Sequence, residues 1–134
     1  MQSFFTSIFY LPTTPDAMSY HIPRVMTWIQ NSNVNFFPTP DQRMLFMPPF
    51  NGFLGTHLYL IFQNDYLFNF IQWFSMFFTM ITVTMIVNEI GGNLRTQILS
   101  AFFLVTLPMG ILQSTSTQTD YVITFWFLSF YFSY

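Results

Sequence analysis

Residues 66–87, YLFNFIQWFSMFFTMITVTMIV, run for 22 positions without an Asp, Glu, Lys or Arg. At 1.5 Å per residue this is roughly 33 Å of helix, against a bilayer hydrocarbon core of about 30 Å. A segment of this kind is long enough to be a membrane span. The chain has 134 residues, one domain at most. Charged residues make up 6% of it, where an ordinary soluble domain holds about 25%. Lysine is absent, and phenylalanine supplies 20 positions. Too few charges exist to coat a water-facing surface, which excludes a free cytosolic enzyme and a disordered linker. A net charge of -2 with three arginines excludes the basic face that nucleic acid requires. With no cysteine there is no disulfide framework, thiolate metal site, iron–sulfur cluster or Cys nucleophile. The reading that remains is a membrane protein held among other chains.

The rest of the second half follows that span. Asp65 and Glu89 flank it, and Tyr66 and Trp73 sit near one end as interfacial anchors. Its threonines and Ser75 can bond back to the i−4 carbonyl, so lipid tolerates them. Residues 88–95, NEIGGNLR, read as a turn, with Gly91-Gly92 supplying conformational freedom. Residues 96–113 give a second span of roughly 27 Å, kinked by Pro108 near its far end. A polar loop, 114–120, leads to 121–134, an apolar tail of 14 residues. As a helix the tail is short for a crossing; an interfacial helix, a strand on a neighbour's sheet and a shallow tail all remain open. The expected fold is an all-α membrane protein, a transmembrane helical hairpin over 66–113 with a tail at 114–134.

Residues 1–49 carry seven of the eight prolines. Each fixes φ, removes a donor and restricts its predecessor, so an irregular, Pro-rich arm outside the bilayer is expected. Two short helices fit within it. One covers Arg24 to Gln30; the other opens on Thr39-Pro40-Asp41 as cap, first-turn proline and first-turn acid, and ends near Met47. The remainder, with Phe4, Phe5, Ile8, Phe9, Tyr10, Phe36 and Phe37, is apolar enough to need covering by partner subunits. Residues 50–65 form an interfacial segment whose apolar stretch is interrupted by Gly52, Gly55 and His57. The first basic residue is Arg24, so no cleavable targeting signal is evident; either a leader has been removed or the protein is made inside the compartment it occupies, and the strongly apolar composition fits the second. Arg95 puts the turn on the synthesis side by the positive-inside rule.

Few residues suggest chemistry. Glu89 and Arg95 bracket the turn and could form a proton path or a gating pair, but their place at helix ends favours capping. His21 and His57 could ligate haem or metal, yet lie 36 residues apart with no shared register. Met76, Met80 and Met85 read as packing or lipid contact rather than a copper site. Asn69 and Gln72 fit interhelical hydrogen bonds. The five acids, Asp16, Asp41, Asp65, Glu89 and Asp120, are scattered, and no nucleophile motif or phosphate loop is present. No catalytic, cofactor-binding or metal residue is assigned, and no cofactor is expected on this chain.

Over residues 62–134 the chain resembles the membrane-anchor half of cytochrome c oxidase subunit 2. That family has a Phe-Gln-Asp element before its first helix, and Phe62-Gln63-Asn64-Asp65 stands there. Its second helix ends on an apolar run, a Pro and aliphatics, as do Leu107-Pro108-Met109-Gly110-Ile111-Leu112. Its later aromatic run is similar to Phe130-Tyr131-Phe132-Ser133-Tyr134. The chain departs where the family carries a carboxylate early in the second helix, since Gln97 stands nearby and cannot ionise. Phenylalanines replace the tryptophans the family links to electron transfer. The resemblance implies a split or divergent anchor, with the copper domain on another polypeptide and no catalytic residue here. The expected role is a structural, non-catalytic subunit of a mitochondrial inner-membrane respiratory complex, organelle-encoded, with other membrane subunits and lipid as partners. The alternatives are a small membrane-arm subunit of NADH dehydrogenase (complex I), for which Glu89 would be the buried carboxylate, and a haem- or quinone-anchoring subunit.

Overall fold

A computed structural model describes residues 14–133, together with Phe5 and Ser7. Most of the apolar N-terminal stretch, including Phe4, Ile8, Phe9 and Tyr10, lies outside the described residues. Those that are described form an all-helical protein with no strand.

The proline-rich region is more regular than its composition suggests. A π-helical turn, Ala17–His21, runs directly into α1, Ile22–Gln30. Pro23 has no N–H, and its ring crowds the carbonyl four residues back. The backbone relieves this by widening the turn just before it, with Ile22 N–H donating to Ala17 O. The helix therefore begins seven residues before the expected Arg24. It ends at Asn31, and Ser32 follows at φ 50°.

The second expected helix contracts to α2, Arg43–Phe46. Thr39 Oγ1 accepts from Asp41 N–H at 3.2 Å, and Asp41 Oδ1 accepts from Arg43 N–H at 3.0 Å. The capping carboxylate is thus Asp41, and the helix starts after it rather than at Pro40. Pro48-Pro49 stops it, as their restricted backbone requires.

The segment expected at the interface folds as α3, Phe50–Phe62. At 13 residues it is too short to cross a bilayer. It lies against α1, where Gly52 lets the Trp28 ring and Arg24 stem approach its backbone. Gln63 closes it in the left-handed conformation, at φ 55°.

Helix α4, Phe68–Glu89, is 22 residues long and is the one helix among the described residues long and apolar enough to cross a membrane. The turn after it uses Gly91 at φ 86°, and Gly92 N–H donates to Val87 O at 2.8 Å, closing the helix end. Asn93 then caps α5, Leu94–Thr106, by accepting from Thr96 N–H. Leu107 is extended, at ψ 121°, as a residue before proline prefers. Helix α6, Pro108–Ser114, sets off at 69° to α5. The proline expected to kink a second span therefore breaks it into two pieces, which pass as one span only when taken together.

The returning strand of chain keeps step with α4. Near one end Gln97 Nε2 donates to Asn88 Oδ1 at 3.0 Å; near the other Thr117 Oγ1 donates to Asn69 Oδ1 at 2.7 Å. The apolar tail is α7, Asp120–Ser133, and α4–α7 is the most extensive helix contact among the described residues. Val122 lies beside Gln72 and Phe125 beside Phe78, so α7 runs in the direction of α4.

Candidate functional site

Helix α4 has an inverted pattern. Asn69, Gln72, Thr79 and Thr82, three to seven residues apart, are buried, alongside Phe68, Ile71 and Met76. Phe74, Phe77, Ile81 and Met85 are exposed. A helix folded in water turns its apolar stripe inward and its polar face outward. Here the fully sealed side chains include Gln72 and Thr79, each at 0% exposure. Helix α5 extends the pattern: it buries no residue, and Leu94, Ile98, Leu99, Phe102 and Phe103 each stand more than half exposed.

The buried polar groups are mostly satisfied. Ser75, Thr79 and Thr82 hydroxyls donate to the carbonyls of Ile71, Ser75 and Phe78. Asn69 accepts from Thr117, and Gln72 Oε1 accepts from Val122 N–H at 3.3 Å. Asn51 Nδ2 donates to Gln118 O at 2.6 Å, tying the start of α3 to the same loop. Buried Ser114, Ser116 and Thr117 complete this knot, which is neutral throughout. Among the described residues, Gln72 Nε2, Asn51 Oδ1 and Gln113 Oε1 in this knot have no partner. Gln72 is thus brought into contact with α7, as expected of an interhelical group, while Asn69 bonds the loop before it.

A second polar cluster lies under α1 and is charged. Arg24 is 1% exposed, with Nη2 donating to Arg43 O at 2.8 Å and Nη1 to Pro48 O at 3.3 Å. Its guanidinium stands 5.9 Å from the Trp28 ring centre. Burial lowers its pKa. His21 packs against Tyr20, with ring centres 4.2 Å apart. Burial, and then the Arg24 charge, push the His21 pKa down to about 4, so the ring is neutral at pH 7. Nearby, Arg43 pairs with Asp41 at 2.7 Å and with Asp16 at 3.6 Å. The hydrogen bonds from Arg43 hold the Asp41 carboxyl below its usual range. Sequence reasoning did not single out Arg24 as buried. Its place beside Trp28 on a short helix, in a chain so poor in cations, was the available signal.

The other candidates stay apart. Glu89 is exposed as the last residue of α4, and Arg95 is exposed in the first turn of α5. The ion pairs among the described residues both run through Arg43, so Glu89 and Arg95 do not form one. His57 is exposed and its Nδ1 bonds Phe53 O at 2.7 Å, which places the proton on Nδ1. No three His, Cys, Asp or Glu side chains among the described residues converge on a metal position. Met76 is buried, while Met85 is exposed on the opposite face of α4. Gln97, standing where the resembled family has a carboxylate, bonds Asn88 and the Gly92 carbonyl.

No known protein family, curated protein or solved structure matches the chain.

Proposed function

We propose that this chain is a structural, non-catalytic membrane subunit of a redox-driven proton-pumping complex of the mitochondrial inner membrane. In this reading α4 crosses the bilayer, α5 and α6 bring the chain back as the second arm of a hairpin, and the 14–62 region lies at the surface. The observation that carries the membrane assignment is the inverted burial on α4 and α5: amides and hydroxyls inside, phenylalanine and leucine outside. In hydrocarbon that order is the favourable one, because lipid cannot satisfy polar groups and gives apolar side chains no reason to hide.

The respiratory assignment rests on the resemblance to the anchor half of cytochrome c oxidase subunit 2. Partners are other membrane subunits and lipid; no cofactor is assigned to the chain. Gln97 supports a passive role, since an amide that donates to Asn88 and the Gly92 carbonyl does not ionise and cannot relay a proton. The NADH dehydrogenase alternative needs a carboxylate sealed within the bundle, and Glu89 is exposed at its end.

Native-gel migration of membranes, with mass spectrometry of co-migrating chains, tests the proposal. Recovery with oxidase core subunits is expected. Recovery with dehydrogenase subunits replaces it with the alternative, and extraction into carbonate buffer as a soluble chain removes the membrane assignment.

A further inference from the structure

Glu89, exposed at the end of α4, lines two surface hollows among the described residues. It ends α4, whose last carbonyls carry the negative pole of the helix dipole. A cavity of about 500 Å³ opens beside it, lined by Ile86, Glu89, Ile90, Tyr131 and Phe132. A second hollow, of about 320 Å³, shares Glu89 and Phe132 and adds Thr84, Met85, Asn88 and Gln97. Glu89 and Phe132 line both of these open surface hollows. No ion pair of Glu89 exists among the described residues.

The chemistry of this arrangement selects its ligand. The carboxylate and the helix terminus together repel anions. A neutral donor can hydrogen-bond the carboxylate but leaves its charge uncompensated. A divalent cation needs several oxygen ligands, and no three His, Cys, Asp or Glu groups gather here among the described residues. An organic ammonium ion satisfies every feature: one counter-charge, weak hydration, and aromatic faces for its methyl or methylene groups. Tyr131 and Phe132 supply those rings on a cavity wall.

We propose that Glu89, Tyr131 and Phe132 form a binding site for an alkylammonium group, the headgroup of a zwitterionic phospholipid at the end of α4. The lipid source rests on the membrane reading above; the ammonium chemistry does not. Free choline is the other source of the same group.

The test uses the full chain in nanodiscs of equal phosphatidylcholine and phosphatidylglycerol, with retained lipid read by native mass spectrometry. Wild type keeps phosphatidylcholine at least tenfold over phosphatidylglycerol. Glu89→Gln brings the ratio near one, and Tyr131→Leu lowers it; both positions are exposed, so neither change endangers folding. In parallel, choline chloride is titrated onto the chain in maltoside detergent, with the Phe132 ring followed by NMR. A saturating shift that Glu89→Gln abolishes supports a site open to the free cation, and lipid preference without such a shift supports the headgroup. A wild-type chain with neither, or a Glu89→Gln chain that keeps both, overturns the proposal. Insertion into discs of phosphatidylglycerol alone reports on the membrane reading separately.

Discussion

The two halves of this molecule bury polar groups of opposite kinds. Under α1 the sealed groups are Arg24 and a neutralised His21, held by backbone carbonyls and aromatic rings. Between α4 and α7 they are amides and hydroxyls, with no charged group among them in the described residues. The first half also holds the Asp16–Arg43–Asp41 cluster, whereas Glu89, Arg95 and Asp120 in the second half all lie exposed at helix ends. A charge can be sealed where water reaches the surrounding shell, as it does for the partly exposed Arg43 and Asp41. Deep in hydrocarbon only neutral, self-satisfied groups are cheap. The contrast fits a surface region followed by a membrane region.

The most direct way to break that contrast is to place a charge on each exposed apolar face. Phe102→Lys should cost about 3 kcal/mol of membrane insertion, the scale for a cation at mid-helix depth. Phe36→Lys, at an exposed position in the first half, should leave insertion unchanged. Glycosylation-mapped insertion assays compare the two, and equal effects would dissolve the distinction.

Acid should discriminate the halves by a similar amount. The His21 pKa falls from 6.5 to about 4 on folding, so the unfolded chain binds the extra proton between those values. Its contribution to stability is present in full above pH 6.5 and is lost as pH falls toward 4, about 3 kcal/mol in all. Thermal melts in detergent should therefore show the first half loosening near pH 5 while α4–α7 holds. His21→Phe should flatten the profile.

Arg24→Ala strips the two carbonyls of their charged donor and should destabilise the 14–62 region by about 2 kcal/mol. Protease sensitivity between Asn31 and Pro49 would report it, with no change in cleavage after Glu89. The smallest effect sharpens the membrane side. A double-mutant cycle on Asn69→Leu and Thr117→Val should give a coupling near 0.6 kcal/mol, the usual worth of an interhelical hydrogen bond in lipid. A coupling several times larger would mean that this knot is not in hydrocarbon.

Much of the helical layout was readable along the chain. The uncharged run at 66–87 became α4 within two residues at either end, and Gly91-Gly92 became the turn. Pro108 was expected to disturb the second apolar segment and does, though as a 69° break rather than a gentle kink. Residues 17–21 were misread because proline suggests an end to helix, whereas one π-turn absorbs Pro23. The tail at 121–134 could not be assigned from length alone, because its helical state depends on the α4 surface it lies against. The Glu89 hollow was invisible for the same reason: Tyr131 and Phe132 are more than 40 positions away in sequence.

Charge scarcity and one long uncharged run, read from the sequence with no help from folding, are what the proposed membrane setting rests on. Those are sums over residues, and solvation energy is close to such a sum. Which face of α4 turns inward is a different matter. Its apolar residues surround the helix on every side, so no stripe points to a core, and only the partners on α6, α7 and their connecting loop decide that Asn69 and Gln72 are the sealed face. Hydrogen bonds between distant segments are pairwise and directional, and no property of either residue alone encodes them.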